Sequence, residues 1–431
     1  MQIETLYDIY LRYPQVSTDT RNIKPQSIFF ALKGANFNGN AFATQALQNG
    51  AAYAVIDEPQ YKQDERYILV EDVLKTLQHL ALFHRQQLTI PVIGITGTNG
   101  KTTSKELVYS VLSQQFRTYA TQGNLNNHIG VPLTLLSIDN TYEMAIVEMG
   151  ANHLKEIEFL CNISLPSHGF ITNVGKAHLE GFGSFEGVKK TKGELYDFLA
   201  NNGGTVFLQA DNPHLKEMAA SRHFHRIVRY GFSDQNDVIG KLLEANPYLS
   251  VSWKRKDDSQ WYNVQTHLTG SYNTENILAA VTVGLEFGMS PETINKGIAS
   301  YVPKNNRSQI TKTSNNMVVA DFYNANVSSM MAALENMHVL SADRKVVILG
   351  DMFELGDDSF EEHKNIIEKA KSLGFQRLIF VGKEFYKHKD DVAEFYPSIE
   401  EAKDAVSTIR DSLVLLKASR GMTFEKLLEL L

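Results

Sequence analysis

The sequence predicts an α/β protein divided into three domains, and three observations predict it. At 431 residues the chain exceeds what one ordinary core can hold. Short apolar runs alternate with helical periodicity along its length, the pattern of strands covered by helices. That alternation restarts near Pro91 and again near Pro303, which divides the chain into residues 1–88, 89–303 and 304–431.

In the first segment SIFFAL (27–32), AAYAVID (51–57) and RYILV (66–70) read as strands, and NAFATQALQNG (40–50) as a helix ended by Gly50. A helical stretch, VLKTLQHLALFHRQQ (73–87), leads into Pro91. The second segment opens on PVIGITG (91–97), a continuous apolar run expected of a strand covered on both faces. AIVEMG (145–150), HGFITNVG (168–175), GTVFLQAD (204–211) and RIVRYGF (226–232) repeat the pattern, so a mostly parallel sheet with right-handed crossovers is expected. The stretch 247–268, with Trp253 and Trp261, reads as an attached hairpin, followed by helices at about 274–288 and from Pro291. The third segment alternates again through NMVVADF (316–322), RKVVILGDM (344–352), RLIFVG (377–382) and SLVLLKAS (412–419).

The strongest chemical signal is GITGTNGKTTSKE (94–106). Gly97 and Gly100 allow a tight turn, so the amides of Thr98, Asn99 and their neighbours can point inward at phosphate oxygens. Lys101 supplies a charge for the β- and γ-phosphates, the Thr102 hydroxyl can ligate Mg2+, and a helix starting near Thr102 and Thr103 aims its positive end at the same anion. Ile95 stands where the strict phosphate-loop pattern has its first glycine, but the loop still follows an apolar strand and opens a helix. ATP is therefore the expected nucleotide. Glu148, at the end of another apolar run, is placed to hold Mg2+ beside the loop. His178, in TNVGKAHLEGFGS (172–184), follows a third strand and reads as a further metal ligand. Lys192, in KKTKGE, taken alone reads as part of a solvated face.

Composition narrows the field. A formal charge of -7 without a compensating basic block disfavours nucleic-acid binding. One cysteine, Cys161, excludes an internal disulfide and reads as a buried apolar residue. The amphipathic, acidic start MQIETLYDIY is unlike a signal peptide, and no apolar run reaches the roughly 18 residues of a membrane span. A cytoplasmic enzyme, and a monomer, is expected.

Taken together, these motifs resemble the Mur ligase family. GNLNNHIGVPLTLL (123–136), VEMGANHLKEI (147–157), TNVGKAHLEGFGS and KGE are similar to its central domain. GSYNTENILAA (270–280), DFYNANVSSMMAAL (321–334), LGDMFELGDDS (349–359) and LKASRG (416–421) extend the likeness into a Rossmann-like C-terminal domain. STDTRNIKPQSIFFALKGANFNGNAFATQAL (17–47) is similar to its uridine-nucleotide-binding domain. The resemblance implies that Lys101 and Thr102 take the ATP phosphates and Mg2+ with Glu148, and that His178 serves a second Mg2+. Lys192 falls where several members carry a carbamylated lysine, an anion that could help hold that metal. Asn273 is implied near the adenine, Arg307 at the transferring phosphate and Asp321 at the ribose; Asn273 would otherwise be a helix N-cap and Asp321 a strand-end turn. Ser17, Asp19, Thr20, Arg21, Lys33 and Gly34 match the uridine-nucleotide motif. Two departures stand out: Asn38-Gly39-Asn40 replaces a usual Asp-Gly-His, and Ala418 replaces a common glycine beside Lys417 and Arg420.

The implied reaction is ligation, in which ATP converts a carboxylate to an acyl phosphate and an amine displaces the phosphate. The motifs are nearest to members that add D-Ala-D-Ala to UDP-N-acetylmuramoyl-tripeptide in peptidoglycan precursor synthesis. Alternatives are a member adding a single amino acid earlier in the stem, one adding glutamates to folate, which would lack the N-terminal domain, or a non-catalytic nucleotide-binding regulator.

Overall fold

Parallel strand pairing organises all three parts of the chain. The structure is a computed structural model that describes residues 2–177 and 179–431. In the first part, strands Gln15–Ser17, Ser27–Phe30, Tyr53–Ile56 and Tyr67–Leu69 form a four-stranded parallel sheet. Residues 40–50, read as one helix, form a 3-10 turn, Gly39–Phe42, followed by the helix Ala43–Gln48, and the positive φ of Gly50 (106°) ends it.

The middle part holds a nine-stranded sheet. Its order is Tyr262–Gln265, Leu249–Arg255, Val238–Ala245, Arg226–Gly231, Thr205–Gln209, His168–Ile171, Val92–Thr96, Met144–Glu148 and Thr118–Ala120. Leu249–Arg255 pairs antiparallel with both Val238–Ala245 and Tyr262–Gln265, giving the hairpin read around Trp253, and the rest are parallel. One apolar cluster covers each face, which is why its central strands read as unbroken apolar runs. The third part is a six-stranded sheet in the order Gln309–Lys312, Met317–Ala320, Leu413–Lys417, Lys345–Gly350, Arg377–Val381 and Glu394–Tyr396, parallel except for its first strand.

The two junctions between these parts differ in chemistry. Helices Ile3–Arg12 and Val73–Gln87 of the first part share an apolar cluster with the middle part through Leu6, Leu77, Leu80, Val131, Leu135 and Leu160. Buried hydrogen bonds reinforce that seam: Tyr10 Oη donates to Leu136 O (2.8 Å), and Arg85 Nε donates to Ser164 O (2.9 Å). Toward the third part, no buried apolar cluster among the described residues crosses from the middle sheet. Polar contacts join them instead, among them Lys176–Glu362 (2.8 Å) and the pair Asn246–Ser341, whose two hydrogen bonds measure 2.8 and 3.1 Å.

The helix Lys101–Leu112, which opens at the phosphate loop, is seated by Asn273–Glu286 and Pro291–Ser300. The last of these approaches so closely that a Cβ on Gly297 would lie 2.5 Å from Val111 Cα. Backbone cannot yield as a side chain can, so Gly297→Ala should lower stability by about 1–3 kcal/mol, read from the urea midpoint.

Candidate active site

Strand Val92–Thr96 lies between His168–Ile171 and Met144–Glu148, and the chain's later strands fall to both sides of it. Such a switch point leaves a crevice at the carboxyl ends of the strands. Register sets Glu148 beside Ile95 and Ile171 beside Thr96, so the loops that follow all three strands converge.

The phosphate loop is fixed from behind. Gly97 has φ of 145°, and a Cβ there would meet Thr172 Oγ1 at 2.0 Å. Thr98 N donates to Asn173 O (2.9 Å), Asn99 N to Asn173 Oδ1 (3.0 Å), and Thr172 Oγ1 to Asn99 O (2.6 Å). Gly100, at φ 77°, is the N-cap of the helix that begins at Lys101, one residue before the expected start. Lys101 Nζ folds over the loop to donate to Gly97 O (2.8 Å) and Thr98 O (3.0 Å). Burial brings its pKa down to about 8, with Glu148 opposing and Arg307 assisting.

Glu148 is 2% exposed; its Oε1 accepts from Thr102 Oγ1 (3.2 Å) and Asn126 Nδ2 (2.9 Å), whereas its buried Oε2 has no protein partner. Lys192 is also 2% exposed, with Nζ 3.4 Å from Ala151 O and 5.3 Å from the Phe182 ring. It is a buried lysine, not part of a solvated face; burial first, then Lys101, holds its pKa well below the usual lysine value. His178 lies outside the described residues, and among the described residues no group of three His, Cys, Asp or Glu side chains makes a metal centre.

Thr98 to Thr103, Glu148, Asn273, Arg307 and Asp321 line one cavity of about 670 Å³ between the middle and C-terminal parts. Asn273 is not an N-cap: Tyr272 holds that position, and Asn273 Nδ2 donates to Thr269 O (2.7 Å) while its Oδ1 accepts from Asn276 Nδ2 (2.8 Å). Asp321 accepts from Ser308 N (3.0 Å) and pairs with Lys417 Nζ (2.6 Å). The Arg307 guanidinium carbon sits 3.7 Å from the Tyr323 ring centroid, and its buried Nε has no partner. Asn126, Asn173 and Tyr323 were not singled out from sequence, although they fall within or beside the family-like motifs. Nothing local in the sequence marks which asparagine of NLNN or TNVG turns toward the loop.

The N-terminal residues stand apart from this cavity. Ser17 ends the strand Gln15–Ser17, and Lys33 and Gly34 form one side of a short ribbon after the adjacent parallel strand. Asp19 caps the Thr20–Asn22 turn and pairs with Arg21 (2.6 Å), whose hydrogen bonds pull the Asp19 carboxyl down to about 2. Lys33 bridges Asp57 (2.9 Å) and Glu58 (3.0 Å). Asn40 is fully buried and tied to Asp57 (2.8 Å), and Asn38 Nδ2 donates to Glu58 (3.0 Å), so these departures serve local structure. Cys161 is buried in the apolar cluster, which pushes its thiol pKa up.

Residues 95–284 match the Mur ligase middle domain, 306–420 the Mur ligase glutamate ligase domain, and 12–85 the Mur ligase family catalytic domain. The chain is 32% identical to the UDP-N-acetylmuramoyl-tripeptide--D-alanyl-D-alanine ligase of Bacillus subtilis, over 96% of this chain and 92% of that one. To the Escherichia coli ligase of the same name it is 33% identical, over 96% and 93%. Among solved structures it resembles MurF from Acinetobacter baumannii (TM-score 0.86, 29% identity, 96% and 92% covered). It also resembles the MurF ligase from Thermotoga maritima in complex with ADP (TM-score 0.86, 26% identity, 97% of each chain).

Glu275, which also lines the cavity, is driven up to about 7 by burial and then by Asp211. A carboxyl raised in the fold supports stability fully below its unfolded pKa and loses that support as pH climbs through the folded one. Glu275→Gln removes this ionisation. It should therefore raise stability near pH 8 by roughly 2–3 kcal/mol and change it little near pH 4, as urea unfolding at both would show.

Proposed function

The chain belongs to the Mur ligase family, and from that premise we propose that it uses ATP to join D-alanyl-D-alanine to a UDP-N-acetylmuramoyl-tripeptide, completing the stem peptide of a peptidoglycan precursor. The observation that carries this reading is the convergence of the phosphate loop, Glu148, Arg307 and Asp321 on one cavity in a chain about a third identical to ligases of that name. The cavity's position between two sheets supports a reaction in which one part holds ATP and another completes the surroundings of the phosphoryl group.

The chemistry must bring two anions together. The tripeptide carboxylate attacks the γ-phosphorus and becomes an acyl phosphate as the bond to the bridging oxygen breaks and ADP departs; the dipeptide amine then adds to the acyl carbon, loses a proton, and phosphate leaves as the amide forms. Loop amides and the Lys101 ammonium are assigned to the β- and γ-phosphates, where a phosphate oxygen would replace the Gly97 and Thr98 carbonyls as the lysine's partner. Arg307, stacked on Tyr323 with Nε unpartnered, is assigned to the transferring group. Asp321, steadied by Lys417, is assigned to the ribose and Asn273 to the base. No covalent protein intermediate is needed, in keeping with a buried, unreactive Cys161.

Mg2+ fits the residues present. Glu148 Oε2 is a buried carboxylate oxygen without a partner, and the Thr102 hydroxyl contacts its other oxygen, so Thr102 and Glu148 would hold the ion. Bound there, it would neutralise phosphate charge. His178 and carbamylated Lys192 are assigned to a second ion. A buried ammonium is costly, which favours the neutral amine that takes up CO2. Ser17, Asp19, Thr20, Arg21, Lys33 and Gly34 are assigned to the uridine nucleotide.

No helix among the described residues is long and apolar enough to cross a membrane. We place the enzyme in the cytoplasm as a monomer, acting in cell-wall synthesis and so in cell shape and division. A product-identified ligation assay with ATP, the tripeptide nucleotide and either D-Ala-D-Ala or single amino acids tests the assignment; amide formation with a single amino acid but not the dipeptide would overturn it. Lys101→Ala should cut turnover ~10²–10³-fold, the scale for loss of a central electrostatic donor, measured as ADP release at saturating substrate.

A further inference from the structure

A closed ring of hydrogen bonds joins the tip of the phosphate loop to the C-terminal part. Asn99 Oδ1 accepts from Asn326 Nδ2 (2.8 Å), and Asn99 Nδ2 donates to Ser328 Oγ (2.8 Å). Ser328 Oγ in turn donates to Asn326 Oδ1 (2.9 Å), which completes the ring. The same Asn326 oxygen accepts from Ser329 N (2.9 Å) and caps the helix Val327–Val339. Thus one atom terminates a C-terminal helix and belongs to a contact with the phosphate loop.

The backbone of Asn99 is committed in the opposite direction. Its N–H and carbonyl are held by Asn173 and Thr172, both in the middle part. The side chain therefore projects from a loop whose shape is already set, and it reaches the C-terminal part only when that part is docked. Close fit enforces the docked position: a Cβ on Gly175 would lie 2.9 Å from Ser328 Oγ. The rest of this seam includes further polar contacts, Lys176–Glu362 and Asn336 Nδ2 to Thr269 Oγ1 (3.3 Å), and no buried apolar cluster spans it among the described residues.

We propose that Asn99 is a positioning residue that couples the shape of the phosphate loop to docking of the C-terminal part, so that nucleotide binding and docking strengthen one another. Coupling of this kind is reciprocal: whatever favours the loop's nucleotide-holding shape favours the docked state by the same factor. Docking in turn brings Arg307 and Asp321 to the cavity. The proposal rests on the reading that this loop holds the phosphates of ATP.

The test separates the two. Asn326→Ser keeps an N-capping oxygen but is too short to reach Asn99, and Ser328→Ala removes the other arm while leaving the cap. Each should lower kcat/KM for ATP about tenfold, the scale of one or two neutral hydrogen bonds, and weaken ADP binding in calorimetry. Asn99→Ala combined with Asn326→Ser should be no worse than the more severe single variant, because both break one ring. Dyes on Lys62→Cys and Asp404→Cys, with Cys161 buried and silent, should show ADP shifting the inter-domain distance in the parent and markedly less in Asn326→Ser. If the single effects multiply in the double variant, or the ADP-induced shift is unchanged, the latch is overturned while the nucleotide reading stands. If the parent protein binds no ADP, both fall.

Discussion

The arrangement depends on one constraint: a parallel strand, Val92–Thr96, with partners on both sides. Because the chain's subsequent strands diverge from it in two directions, the loops after Thr96, Glu148 and Ile171 have nowhere to run but into a common crevice. Glycine at 97 then lets the first loop lie against Thr172 and Asn173, where any Cβ would collide. The Glu148 carboxylate reaches the same crevice because register sets it beside Ile95. Loop, carboxylate and helix start are thus consequences of pairing geometry, and the chemistry assigned to them inherits its precision from the sheet.

A second consequence follows from how the other two parts attach. Apolar side chains weld the N-terminal helices to the middle part, and separating them would expose Leu6, Leu77 and Leu80 to water. Among the described residues the C-terminal seam is built from amides, hydroxyls and the Lys176–Glu362 ion pair, groups that water satisfies nearly as well when the parts separate. The molecule therefore has one apolar junction and one polar junction, and the docking proposed above would make the polar one reversible. The polar one carries Arg307 and Asp321, the residues proposed to complete the nucleotide's surroundings.

Strands with two covered faces were legible because burial on both sides leaves an unbroken apolar run, as in PVIGITG and RKVVILG. Three short edge strands were not: Gln15–Ser17, Thr118–Ala120 and Glu394–Tyr396 are three residues each and carry no such run. At the site, glycines and charged residues were legible because a tight turn or a phosphate demands those residue types. Asn126, Asn173 and Asn326 escaped notice because an asparagine's role depends on which amide it faces, and that is decided by tertiary distance. Lys192 shows the same limit in reverse. Its neighbours Lys189 and Lys190 suggest a solvated face, but one face of the helix Phe185–Asn201 turns inward and buries the third lysine.

Transfer of a phosphoryl group to a carboxylate competes with transfer to water, and a site open on one side would hydrolyse ATP unproductively. Dividing the charged groups between two parts that meet through polar contacts lets the cavity assemble with substrate inside, while keeping the ground-state molecule from locking shut on an empty loop. An apolar seam of the kind that welds the N-terminal helices would have made closure permanent, and a seam without the Asn99 ring would have left it insensitive to the phosphate loop. A polar seam suits both demands, because groups that water also satisfies leave a small net gain on docking, and an equilibrium so balanced is one that a ligand's differential affinity can shift.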